Sequence, residues 1–372
     1  MKTIVLTGGP CAGKTTALNR IVEVFTQRGY AVFTLPESPT LFNQAGVDFL
    51  TKDKRLFLET EKALLDFQMQ MEDQFSRIAQ ADGRPALLVC DRGTMDIAAY
   101  MPQEVWQAIL DESKKNPVEL RDKRYDAVIH MCTAAKGAEK YYTLENNQSR
   151  TESPELARML DDKLISAWEG HPHLRVVGNG TDFEGKLQRV ISEIAAVLGD
   201  PEPIESERKF LVDLTGDFPN GTPSFTSGRP VFGTELDIYQ TYLKSQDGVE
   251  QRLRKRGENG RYIYLLTEKH KLKGSQRIEK ECQISPSDYI DKLQNADPAR
   301  ETIHKLRRCF VWEEQYFELD TFVSPTMDHL LLEIESLPDN PQPIKFPPFI
   351  KVIEEVTENP DYYNGNIAKR PL

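Results

Sequence analysis

The sequence predicts two folds in tandem. Residues 1–199 read as an α/β domain, a parallel sheet with helices on both faces. Residues 204–372 read as an α+β domain built on an eight-stranded antiparallel barrel whose interior forms a tunnel. Three observations carry this. At the N-terminus a short apolar strand runs into a glycine-rich loop and then an amphipathic helix. Residues 200–203, Asp-Pro-Glu-Pro, cannot continue a helix, because proline restricts φ and lacks a donor. Beyond this linker the pattern changes from a helical period to a period of two, with turn residues between short segments.

A chain of 372 residues is too long for one ordinary core, so two domains are expected. A hydrophobic fraction of 39% and a charged fraction of 28% give ample core material. The net charge of −11 excludes a general nucleic-acid binder but leaves room for local phosphate-binding clusters. No apolar run is long enough to span a bilayer, and the first residues begin as a strand rather than as a signal peptide. The five cysteines, Cys11, Cys90, Cys132, Cys282 and Cys309, are scattered without metal-ligand spacing, which fits a reducing, cytoplasmic setting.

Taken in order, the first strand covers residues 2–6. Gly8-Gly9-Pro10-Cys11-Ala12-Gly13-Lys14-Thr15-Thr16 then matches G-x-x-x-x-G-K-[ST] in the strand-then-helix context that this pattern requires. Gly8 and Gly13 let the backbone wrap around phosphates, and Gly9, Cys11, Ala12 and Thr16 line the same loop. Lys14 reaches the terminal phosphates of ATP or GTP, and the Thr15 hydroxyl ligates Mg²⁺. The next strand, 30–35, ends at Glu37, and the third, 86–90, ends at Asp91-Arg92-Gly93. Acids at the carboxyl ends of parallel strands face the ligand crevice. Asp91 there is a candidate magnesium partner, Arg92 a candidate phosphate contact, and Glu37 a candidate base for an attacking hydroxyl. A helix cap or a surface ion pair is the alternative for each. A fourth strand, 127–131, precedes a polar stretch and a helix at 154–168, an order that suits a mobile lid with Arg150 and Arg158 as phosphate clamps. A solvated loop and helix face explains the same residues. A fifth strand at 174–177 and a helix at 183–198 complete the domain, with His171-Pro172-His173 read as a turn.

The loop 8–16, Asp91-Arg92-Gly93 and the lid-like segment 150–162 resemble the P-loop nucleoside and nucleotide kinases of the AAA_28 and NadR-like kind. In that family the acid ending the second strand often acts as the base, which implies that role for Glu37.

In the second half, strands are expected at 204–212, 235–243, 249–256, 261–269, 276–284, 302–311, 315–322 and 330–336, with a helix at 288–296. Side chains alternate faces along a strand. Glu205, Glu207 and Lys209 therefore share one face, as do Arg252 with Arg254, Lys269 with Thr267, and Arg277 with Glu279 and Glu281. Lys305 with Arg307, Glu318 with Asp320, and Glu333 with Glu335 repeat the arrangement, and the opposite faces are mostly apolar. A closed barrel with a hydrated, charged interior and a covered apolar exterior accounts for this; a curved open sheet with one wet face is the alternative.

Glu205-Ser206-Glu207-Arg208-Lys209 is an ExExK signature. With Arg252-Leu253-Arg254, Arg277-Ile278-Glu279-Lys280-Glu281, Lys305-Leu306-Arg307, Glu318-Leu319-Asp320 and Glu333-Ile334-Glu335 it resembles the CYTH, or triphosphate tunnel metalloenzyme, superfamily. Glu355-Val356-Thr357 and Tyr362-Tyr363-Asn364 fit the same pattern. The resemblance implies Mg²⁺ or Mn²⁺ on Glu205, Glu207 and either Glu333 or Glu335, with the basic pairs holding a triphosphate. It implies a metal-dependent hydrolase of tripolyphosphate, a nucleoside triphosphate or thiamine triphosphate. Two other readings stay open: a nucleotide-switched module binding a phosphorylated ligand such as a phosphoinositide, and a P-loop small-molecule kinase with a regulatory tunnel domain. Class IV adenylyl cyclase activity is a further family possibility that no residue here selects.

Overall fold

Strand β1 (Lys2–Thr7) is buried on both faces, and its apolar run reflects this. It lies at the centre of a five-stranded parallel sheet in the order β2-β3-β1-β4-β5, with β2 at Ala31–Leu35, β3 at Ala86–Asp91, β4 at Ala127–Met131 and β5 at Leu174–Val177. The strand order reverses at β1, so a crevice opens at the carboxyl ends of β1, β3 and β4. Helix α1 (Lys14–Gln27) buries Ala17, Ile21 and Phe25, one apolar position per turn, against Ile4, Leu6 and Ile129. Helix α6 (Phe183–Leu198) adds Leu187, Val190, Ile191 and Ile194 to the same core.

Three helices of this unit were not foreseen: α2 (Ser38–Gln44), α3 (Lys54–Asp82) and α4 (Gln103–Ser113). The signals for the 29-residue α3 were present. Asp53 caps it by accepting from the Arg55 and Leu56 amides at 2.9 and 3.2 Å, and Gly83 ends it at φ 80°. Helix α5 (Pro154–Trp168) is capped by Ser153 at the Leu156 amide.

The computed structural model describes residues 1–142, 153–199, 207–215, 224–226, 229–231, 233–244, 249–271, 277–335 and 343–369. They fall into two compact units, Met1–Leu198 and Gly199–Leu372. Arg150, Glu205 and the linker 200–203 lie outside the described residues, as do the side chains of Arg277 and Glu279. Among the described residues, no helix is long and apolar enough to cross a membrane.

The second unit is a nine-stranded antiparallel sheet with a small two-stranded hairpin. Its strands are β6 (Glu207–Leu214), the hairpin β7 (Ser224–Thr226) and β8 (Arg229–Val231), β9 (Thr234–Tyr242), β10 (Glu250–Glu258), β11 (Arg261–Lys271), β12 (Arg277–Gln283), β13 (Ile303–Trp312), β14 (Gln315–Ser324), β15 (Leu330–Glu335) and β16 (Ile350–Glu355). The large sheet runs β12-β11-β10-β9-β13-β14-β15-β6-β16. Among the described residues no ladder joins β12 to β16, so the eight-stranded closed ring becomes nine strands in open order. The added strand, β16, pairs with β6 through a register shift at Val352–Glu354, the kind of irregularity that ends pairing at an edge. The expected helix lies slightly earlier, as α7 (Pro286–Leu293) after the Ser285 cap.

Register decides the faces. Phe210, Phe310, Phe317, Leu319, Leu332 and Ile334 form an apolar face covered by Phe346 and Phe349. Further along, Tyr289 and Leu293 of α7 cover Leu253 and Leu266. The opposite face is charged in its middle rows but not throughout. At one end Leu211, Tyr242, Ile303, Phe322 and Leu331 pack against Val356 and Ala368 of the C-terminal chain, which includes α8 (Asn364–Ile367).

Candidate functional sites

The first candidate site forms where β1, β2 and β3 end. Gly8 has φ 144°, and a Cβ there would lie 2.1 Å from the Met131 carbonyl oxygen, so only glycine fits. Gly13, at φ 91°, turns the loop into α1. Lys14 folds back to donate to the Gly8 carbonyl at 3.1 Å. Its burial, with the nearby Arg92 guanidinium, lowers its pKa to about 8. The loop is thus held in shape, with an ammonium that gains from an arriving phosphate.

Arg92 has φ 71°, a conformation in which its amide bonds to the Leu6 carbonyl at 3.1 Å. Its guanidinium pairs with Glu37 and lies 3.9 Å from Asp96. Burial opposes ionisation of Glu37, but Arg92 and Lys14 overcome it and hold the carboxyl below its usual range. Glu37 is therefore a carboxylate at neutral pH, as a group orienting a hydroxyl must be. Burial raises the pKa of Asp91, whose Oδ1 is buried and has no hydrogen-bond partner. An orphaned carboxylate oxygen beside the phosphate loop fits Mg²⁺, which prefers oxygen ligands and keeps several waters; Asp91 and the exposed Thr15 hydroxyl would hold it. Asp96 was missed. It is buried, accepts from the Thr7 hydroxyl and takes the Gly93 amide at 2.6 Å, so it braces the segment carrying Asp91 and Arg92. Arg158 is occupied: it donates to the Ala135 carbonyl at 2.8 Å and to Glu155 at 3.2 Å.

The second candidate site is the charged face of the nine-stranded sheet. Backbone pairing of Glu207 with Glu335, Lys209 with Glu333, Glu333 with Glu318, and Asp320 with Arg307 sets these residues on one face of four adjoining strands. The Lys209 ammonium bridges Glu207, at 2.6 Å, and Glu333. Arg307 contacts Asp320 through Nε and Nη2, each at 2.7 Å, and also meets Glu318 and Glu333. Lys305 meets Asp320 Oδ2 as well, so this oxygen is shared with Arg307 Nη2, and Asp320 is fully buried.

These charges shift one another. Burial and the Glu333 carboxylate push the Glu207 carboxyl up. Against its own burial, Glu333 is held well below its usual range by Lys209, Lys305 and Arg307. Lys209 is raised by Glu207 and Glu333 despite burial, whereas burial and Arg307 lower Lys305. Two crowded carboxylates of which one resists ionisation form a hard oxygen donor set that fits a divalent cation. Glu207 and Glu333 would hold it; Glu335 is exposed.

Beyond β9, which separates them from β13, strands β10 and β11 are basic on this face. Arg252, Arg254 and Arg256 recur along one face of β10, with Lys269 on the same face of β11. Glu281 accepts from Thr267 at 2.7 Å and lies 3.5 Å from Arg254. Lys269 pairs in backbone register with Glu279, and Lys271 with Arg277. Arg256, 1% exposed, was missed although it continues the Arg252, Arg254 alternation by one more step.

Residues 3–186 match the family model described as AAA domain. Among solved structures, the inorganic triphosphatase NE1496 is 32% identical, covering 44% of this chain and 93% of that one at a TM-score of 0.29. A second structure, of the hypothetical protein NE1496, gives 32% identity, 44% and 97% coverage and a TM-score of 0.30. Deoxyadenosine kinase from M. mycoides with bound dATP gives 18% identity, 52% and 99% coverage and a TM-score of 0.35. No curated protein sequence matches. The chain carries a P-loop domain of the AAA family in residues 3–186, and its remainder is similar to the CYTH inorganic triphosphatase NE1496.

Proposed function

We propose that the chain is a two-domain phosphate-handling enzyme. The first unit binds ATP or GTP with Mg²⁺ on its P-loop, and the second hydrolyses a triphosphate with Mg²⁺ or Mn²⁺ on its charged face. The observation that carries this reading is the arrangement of buried charge in the second unit. Acids linked through Lys209 and Arg307 share a sheet face with β10 and β11, one strand away across β9, on which arginine and lysine outnumber acids. Burying so many ionised groups is unfavourable for stability alone. It makes sense for a face that exchanges internal ion pairs for phosphate oxygens and a cation.

In this reading Arg252, Arg254, Arg256 and Lys269 bind the phosphate chain through charge-assisted hydrogen bonds. Arg307 and Lys305 release carboxylates as they take up phosphate oxygens. Lys209 keeps Glu207 and Glu333 oriented. A bound divalent cation would neutralise phosphoryl oxygens and activate water. In the first unit, Lys14 and Arg92 neutralise phosphates while Glu37 orients an acceptor hydroxyl.

The test is phosphate release from tripolyphosphate, ATP, GTP and thiamine triphosphate with Mg²⁺ or Mn²⁺. Inorganic triphosphate, named for the NE1496 enzyme, is the first substrate to assay. Turnover that survives Lys14→Ala and is lost in Glu205→Ala/Glu207→Ala supports the reading. Loss only in Lys14→Ala moves the chemistry to the first unit, and no turnover leaves a binding module.

A further inference from the structure

Asp161 stands on α5, one turn beyond Arg158, and is completely buried. Its Oδ1 accepts the amide of Gly9, within the phosphate loop, at 2.9 Å, and the amide of Thr133, after β4, at 3.1 Å. His130 Nε2 lies 3.1 Å from the same oxygen, and the Lys136 ammonium lies 2.7 Å from Oδ2. Against burial, His130 and Lys136 hold the carboxyl well below its usual range.

Gly9 supplies a second, independent observation. It has no positive φ that would call for glycine. A Cβ there would meet Asp161 Oδ1 at 2.8 Å, Asp161 Cβ at 3.0 Å and Thr133 Cβ at 3.2 Å. The small residue is needed to admit Asp161. Other bonds join the same parts: Thr133 Oγ1 donates to the Pro10 carbonyl, the Ala134 amide to the Cys11 carbonyl at 3.4 Å, and Arg158 to the Ala135 carbonyl. His130, Cys132 and Asp161 offer ligand atoms within 4.8 Å of one another. The Asp161 oxygens are already engaged by amides and by Lys136, so this trio packs as core rather than as a metal centre.

We propose that Asp161 is a positioning residue for nucleotide binding: it ties the Gly9 amide of the phosphate loop to helix α5, so that α5 sets the shape of the loop. The inference rests on the P-loop reading above. Lys136 has a matching task, cancelling a carboxylate charge that would otherwise lie beside incoming phosphates.

The experiment measures MgATP and MgGTP affinity calorimetrically on the full chain, for wild type, Asp161→Asn, Asp161→Ala, Gly9→Ala and the double variant Gly9→Ala/Asp161→Ala. Thermal melting and tripolyphosphate hydrolysis serve as folding controls. Losing a buried hydrogen bond to a charged acceptor predicts about ten- to a hundredfold weaker binding for Asp161→Ala. Asp161→Asn, which keeps the acceptor oxygen, loses less. Gly9→Ala resembles Asp161→Ala, and the double variant is no worse than either single one, because both disrupt the same contact. If Asp161→Ala does not fold, Asp161→Asn and Gly9→Ala carry the test. Wild type that binds neither nucleotide overturns the P-loop reading and this inference with it. Wild type that binds, with variants that melt lower yet bind within about twofold or whose losses simply add, overturns this inference alone.

Discussion

Replacing Asp320 with Asn keeps the shape of a fully buried side chain and removes its charge. Arg307 then loses a two-pronged carboxylate contact, both bonds 2.7 Å, and Lys305 loses the acid that offsets its burial. Removing one partner of a buried ion pair costs about 3–5 kcal/mol, chiefly because the other charge stays buried. Glu318 and Glu333 still contact Arg307, which places the expected loss near the lower end, about 3 kcal/mol. For a unit of this size each kcal/mol lowers the melting temperature by about 2–4 °C, so the second unit should melt about 6–12 °C lower. Calorimetry follows both transitions, and on the proposed assignment MgATP should raise the first. Tripolyphosphate with Mg²⁺ should then raise the second transition more in Asp320→Asn than in wild type, because its oxygens replace the missing carboxylate beside Arg307 and Lys305. A fall below about 2 °C would show that Asp320 does not support the buried cations. A full fall with no extra response to tripolyphosphate would refute their role as a substrate wall.

Burial raises the pKa of Glu61 on α3 to about 7. A carboxyl raised by folding favours the native state at low pH, and that contribution is lost as pH rises from its ordinary value toward 7. Glu61→Gln should flatten the pH dependence of urea stability across this window and add about 1–2 kcal/mol at pH 8, after allowance for residual solvent screening. With the Lys14 pKa lowered to about 8, MgATP affinity measured at pH 7 should exceed that at pH 9, because the free protein loses the ammonium in between. Gly8→Ala places a Cβ against the Met131 carbonyl at a φ only glycine adopts readily; it should lower stability by about 2–4 kcal/mol and abolish nucleotide binding by calorimetry.

Local chemistry made much of this protein legible in its sequence. The five parallel strands and the strand–loop–helix at 8–16 follow from short-range rules: apolar runs, glycine at positive φ and an amphipathic α1. In the second unit, eight of the strands were placed within a few residues because the charged side chains alternate with a period of two. The long α3 escaped notice although Asp53 and Gly83 mark its ends. Arg256 escaped although it extends the Arg252 and Arg254 pattern.

Other features depended on the tertiary structure. No spacing in the sequence connects Asp161 to Gly9, or Asp96 to Thr7, because these contacts form only when α5 and the segment after β3 pack against the end of β1 and the loop that follows it. The pairing of Glu333 with Lys209 and of Asp320 with Arg307 depends on strand register, which fixes which charge meets which. The apolar packing that ends the charged rows draws on Val356 and Ala368, far along the chain from Leu211 and Tyr242. Alternation along a strand is a property of the local backbone, so sequence alone determined that this face is charged. Ion pairing and burial depend on neighbours distant in sequence, and only the fold decided how those charges are held.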